Sequence, residues 1–151
     1  MPVLDLLELP PGPLFGLDLG EKTIGVASSD AGRFLATPLT LIRKTKFTAD
    51  AEQLFALMAE RGAAALVIGL PLNMDGGEGP RAQSARAFGR NLLRLRDLPL
   101  AFWDERLSTA AVERQLIGHL DMSRARRAEM VDQNAAAWIL QGALDRLANA
   151  R

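Results

Sequence analysis

The chain has 151 residues, 48% of them hydrophobic and 24% charged, enough for one domain with a real core and with little room for a second. Its 18 basic and 18 acidic residues cancel, which excludes a polycation that holds nucleic acid by global charge and leaves only local patches. There is no cysteine and one histidine, His119. Disulfides, thiolate sites, cysteine nucleophiles, multi-histidine zinc centres and serine–histidine triads are therefore set aside, and a bound metal must be held by oxygen, which points to Mg²⁺ or Mn²⁺.

Residues 1–13 (MPVLDLLELPPGP) have no basic start, and Asp5 and Glu8 interrupt their apolar run. They read as an extended leader, either covering a neighbouring surface or flexible, and not as a secretory signal. No later stretch approaches the roughly 20 uninterrupted apolar residues of a membrane span, so a cytoplasmic protein without membrane contact is expected. The domain proper runs over 14–151. Leu14 to Leu19, Ile24 to Ser28 and Phe34 to Ile42 read as strands β1, β2 and β3, joined by tight turns and hence antiparallel. Pro38 removes a ladder donor, which makes β3 an edge strand.

The period then changes. Between Thr48 and Arg61, Leu54, Phe55, Leu57 and Met58 recur at helical spacing, with Asp50 and Glu52 in the first turn and Gly62 after the end. Ala64 to Gly69 (AALVIG) is a strand buried on both faces, β4. A glycine-rich loop, Pro71 to Pro80, leads into a helix over Arg81 to Arg96, and Pro99 to Trp103 is β5. Ser108 can cap a helix to about Ile117, and Ser123 a final helix to about Leu147. The order βββαβαβαα implies a mixed five-stranded α/β sheet, three antiparallel strands then parallel ones, with helices on both faces. Ligands of such sheets sit beyond the carboxyl ends of the parallel strands. Asp18, Pro71, Asp104 and Glu105 all lie at such ends.

Asp18 shares a face of β1 with Leu14 and Gly16, opposite Phe15, Leu17 and Leu19. An acid there is costly unless it is paired or binds a cation; a strand-end acid in water is the plain alternative. Glu105 follows β5 as a loop acid. Asp132 lies in the last helix on the same side as Ala135, Ala136, Ile139 and Ala143, or is simply a solvated helix acid. Taken together, acids from three elements can converge at one end of the sheet. Such an oxygen cage suits two divalent ions about 4 Å apart in phosphodiester hydrolysis, chemistry that needs neither histidine nor cysteine.

Runs at these residues, GLDLGEKTIGVASSD (Gly16 to Asp30), VIGLPLNMDGGEGPRAQSA (Val67 to Ala85), WDERLST (Trp103 to Thr109) and DQNAAAWILQ (Asp132 to Gln141), resemble the YqgF or RuvX family of pre-ribosomal-RNA nucleases and Holliday-junction-resolvase-like proteins. A lone DxG is weak, since actin-like ATPases open the same way; these runs in this order are specific and span nearly the whole chain after the leader. The resemblance implies a ribonuclease H-like fold and Asp18, Glu105 and Asp132 as metal-binding catalytic acids. Two features depart from the family pattern: the leader is longer, and Thr23 stands where relatives often carry a basic residue.

The loop from Asn73 to Gly79 reads as a flap that shapes the substrate, with a plain connector as the alternative; Asp75 and Glu78 would repel phosphate, and the P-loop ending is missing. Asn73, Arg81 and Arg106 are the candidate substrate contacts, the two arginines for phosphate. Arg86, Arg90 and Arg94 share a helix face that is solvated by default. Arg43, Lys44 and Lys46, and Arg124, Arg126 and Arg127, are candidate basic patches. Trp103 and Trp138 read as core, His119 as a surface residue. The leading expectation is a Mg²⁺- or Mn²⁺-dependent endonuclease, with two ions, maturing the 5′ end of pre-16S rRNA. The nearest rival cuts four-way DNA junctions as a homodimer. The partner is thus structured RNA or branched DNA. An actin-like ATPase is disfavoured by length, and a non-catalytic RNA-binding protein leaves the acids unexplained.

Overall fold

The computed structural model describes residues 2–107 and 123–150, with the backbone alone at 128, 129, 132 and 133. The helix expected after Ser108, and His119, lie outside the described residues. Strands β1 (Leu14–Leu19), β2 (Thr23–Ser29), β3 (Ala36–Arg43), β4 (Ala65–Leu70) and β5 (Leu100–Asp104) form one sheet in the order β3-β2-β1-β4-β5. β1–β2 and β2–β3 are antiparallel; β1–β4 and β4–β5 are parallel. Pro38 does lie on an edge strand. The β2–β3 register shifts beside it, so that Leu39 is the extra residue of a bulge.

Helices α1 (Phe47–Arg61) and α2 (Pro80–Leu95) cover one face and α3 (Arg124–Asn149) the other. α1 ends at Gly62, whose φ of 67° is the left-handed cap that glycine adopts most cheaply. At its start Asp50 folds back to accept from the Thr45 backbone N–H and hydroxyl at 3.0–3.2 Å. Ser123 caps α3 as expected, accepting from the Arg126 N–H at 3.2 Å. Alternation along the strands divides the core. Phe15, Leu17, Leu66 and Ile68 pack towards α1 and α2, while Leu14, Val67, Ala101 and Trp103 pack towards α3. Ala135, Ala136, Ile139 and Ala143 are all buried on α3, and small side chains there bring its backbone close to the sheet.

Two segments depart from or extend the sequence expectation. β3 begins at Ala36, not Phe34, because the Asp30 carboxylate accepts from the N–H groups of Phe34 and Leu35, each at 2.9 Å, and closes them into the turn. Those donors, Leu35 foremost, hold the Asp30 carboxyl below its ordinary range. The leader lies along β5: the Leu4 N–H donates to the Leu100 carbonyl at 2.8 Å, and Leu9 is buried with Leu14 and Trp103. Arg33 ties it down further, donating to the carbonyls of Gly12 and Pro10. Among the described residues no helix is long and apolar enough to cross a membrane.

Candidate active site

The parallel ladder pairs Leu17 with Ile68, so Asp18 lies level with Gly69, which in turn pairs with Trp103 on β5. One residue past the end of β5, Glu105 opens a short 3₁₀ turn, Glu105–Leu107. Both acids lie on the α3 side. Asp18 follows Leu14 and Gly16 in the alternation, and Gly16 faces α3 so closely that a Cβ there would stand 2.7 Å from Leu140 Cβ and 3.2 Å from the Ala136 carbonyl oxygen. A Cβ on Gly69 would stand 2.7 Å from Ile139 Cδ1 and 3.2 Å from Glu105 Cγ. Gly69 therefore leaves the space that Glu105 occupies, beside the strand that carries Asp18. Each acid is only 8% exposed. Two carboxylates buried this far, at the same end and on the same face of one sheet, are costly to keep charged without cations or strong donors.

α3 runs antiparallel to β1. Its Gln141 bonds the Ala36 N–H (2.8 Å) and the Phe34 carbonyl (3.1 Å), level with the start of β1, while Ala136 lies over Gly16. One turn further, Asp132 belongs to the helix at the end of the sheet where Asp18 lies; its side chain lies outside the described residues. Among the described residues no group of three acids or histidines is placed to hold a metal.

Beside Glu105 opens a cleft of about 470 Å³ whose lining includes Asn73, Met74, Gly79, Arg81 and Arg106. The structure thus brings the three expected substrate contacts to the mouth of Glu105; Asp18 does not line this cleft. Their roles differ. Arg106 donates to the Asp104 carboxylate through Nε (3.1 Å) and Nη2 (2.7 Å), and through Nη1 to the Met74 carbonyl (3.2 Å). It braces the loop against the end of β5, and its guanidinium holds the Asp104 carboxyl below the ordinary range. Asn73 closes the loop: its N–H donates to the Gly77 carbonyl, and its carbonyl accepts from Gly76, both at 2.9 Å. Glu78, held low by its hydrogen bond from Arg86 (2.7 Å), ties the loop to α2. Arg81 is exposed at the cleft wall.

Gly16 and Gly69 were not singled out from sequence. The available signal was a glycine interrupting each central apolar strand, which marks a close approach of something else.

A three-stranded antiparallel meander continued by two parallel strands, helices on both faces and buried acids at the strand ends define a ribonuclease H-like protein. The solved structure of Thermus thermophilus RuvC in complex with a Holliday junction substrate shares this fold, with a TM-score of 0.50 at 13% identity, covering 91% of this chain and 96% of that one. The chain belongs to the RuvX family, whose model, described as Holliday junction resolvase, matches residues 12–146. Proteins named "Putative pre-16S rRNA nuclease" are close relatives. The one from Phenylobacterium zucineum is 68% identical over 155 aligned positions, with 99% of each chain covered. That from Caulobacter vibrioides is 66% identical, covering 97% of this chain and 98% of its own.

Proposed function

We propose that this nuclease hydrolyses phosphodiester bonds in precursor 16S rRNA, in the cytoplasm, using divalent cations held by Asp18, Glu105 and Asp132. The observation that carries the reading is the pair Asp18 and Glu105, buried on one face of the sheet at the carboxyl ends of β1 and β5, either side of β4. The donor set fits Mg²⁺ or Mn²⁺, because it is all carboxylate oxygen, the ligand type these hard cations take. When bound, such ions supply Lewis-acid stabilisation of the charge that builds on the phosphate. The chain's own residues do the rest. Glu105 lines the cleft that admits the substrate, Arg81 offers a positive charge to a backbone phosphate, and the loop braced by Arg106 shapes the entrance.

The test is incubation of the purified chain with 5′-extended precursor 16S rRNA and with four-way junction DNA, in Mg²⁺, Mn²⁺ or EDTA. Metal-dependent cleavage of the RNA is expected. Asp18→Asn should abolish it with the fold intact, checked by circular dichroism, because the neutral amide keeps the size of the side chain and loses the anionic oxygen a cation needs. Cleavage that persists in EDTA, or in Asp18→Asn, contradicts the site. The family description, Holliday junction resolvase, favours one second reading, junction resolution, for which a homodimer would be needed to nick paired strands; paired nicks in the junction with RNA left intact would select it.

A further inference from the structure

A second cleft, of about 220 Å³, lies on the α1–α2 side of the strand ends, lined by Gly20, Glu21, Lys44, Arg81 and Ser84 among others. Pro80 and Arg81 also line the Glu105 cleft, so the two openings share a wall at the start of α2. Of the three basic residues around the end of β3, only Lys44 reaches this cleft. It lies two residues beyond the buried Ile42 and so keeps to the α2 side, whereas Arg43 and Lys46 line neither opening. Lys44 is held in place: its N–H donates to the Lys22 carbonyl and its Nζ to the Gly20 carbonyl, both at 2.9 Å. Gly20 is two residues past Asp18, so this ammonium is anchored to the segment that carries the catalytic acid.

We infer that the second cleft is a phosphate subsite, in which Lys44 and Arg81 hold the nucleic-acid backbone where it leaves the Glu105 cleft and crosses the ends of β1 and β4. The inference rests on the nuclease reading and extends it by naming where the substrate strand runs. A chain with no net charge needs its cations placed along the substrate path, and here two cations and the Ser84 hydroxyl line one wall-sharing route. Glu21 lines the same cleft and opposes an anion there, so the two cations must outweigh one carboxylate.

The experiment measures binding of labelled single-stranded RNA and of four-way junction DNA to the full chain in EDTA, over a series of salt concentrations. Lys44→Gln keeps a donor for the Gly20 carbonyl but removes the charge. It should weaken binding and lower the slope of log Kobs against log salt by about 0.7 on RNA and about 0.9 on duplex arms, the loss of one phosphate contact. Lys44→Arg should retain the slope, and Lys46→Gln should match the parent. An unchanged slope in Lys44→Gln, or an equal loss in Lys46→Gln, overturns the subsite while leaving the nuclease reading standing. Loss of slope together with a lower thermal midpoint in both Lys44→Gln and Lys44→Arg would assign the effect to the Gly20 turn and also overturn it. A parent chain that binds neither nucleic acid would sink the nuclease reading and the subsite with it.

Discussion

Gly16→Ala is the smallest change that reaches the site without touching a charge. The added Cβ would stand 2.7 Å from Leu140 Cβ and 3.2 Å from the Ala136 carbonyl oxygen. Neither atom can swing aside, because one is fixed to the α3 backbone and the other is part of it. Carbon atoms settle at about 3.5–4.0 Å, so α3 must withdraw from β1 by roughly 1 Å. Overpacking of this kind costs about 1–3 kcal/mol, which for a chain of this size lowers the thermal midpoint by roughly 2–12 °C. The functional loss should be larger than the stability loss implies. α3 carries Asp132 and β1 carries Asp18, the acids proposed to hold the cations, and a displacement of about 1 Å between catalytic groups can cost roughly a hundredfold in rate. Circular dichroism melts, together with single-turnover cleavage run well below the midpoint, separate the two effects. Gly69→Ala provides the contrast. Its sharpest clash, with Ile139 Cδ1, falls on a side-chain end, while Glu105 Cγ at 3.2 Å and Ile139 Cγ2 at 3.3 Å must each move by a few tenths of an ångström. It should therefore lower the melt less than Gly16→Ala and still cleave more slowly than the parent. Wild-type cleavage and melting in Gly16→Ala would refute the close helix–strand contact as the element that sets the site.

Two further outcomes follow from the same contacts. Asp104→Asn should cost about 0.5–1 kcal/mol at neutral pH, because the Arg106 pair is part-exposed. Since the folded Asp104 carboxyl is held below 3.8, that difference should be full above pH about 4 and vanish as the pH falls through the lower folded value; a difference that grows in acid has the wrong sign. Leu9→Ala empties a buried position between the leader, β1 and β5 and should cost about 2–5 kcal/mol while exposing residues 1–13 to limited proteolysis. A variant with an unchanged melt and an uncut leader would show that the leader adds nothing to the core.

What was legible in the chain is what depends on near neighbours. Two-residue alternation in β1 put Asp18 with Leu14 and Gly16, Pro38 marked an edge, Gly62 and Ser123 marked helix ends, and the Ala135–Ala143 stripe marked a close-packed face. Each is a matter of local sterics or of a hydrogen bond within a few residues. Tertiary structure alone decided the rest, because distances between remote atoms are set by how whole elements pack. It brought Arg106 to the Met74 carbonyl, laid the leader on β5, and made Gly69 the space that Glu105 fills. It also put Lys44 and Arg81, which are 37 residues apart, on the walls of one cleft, a juxtaposition that no local period encodes.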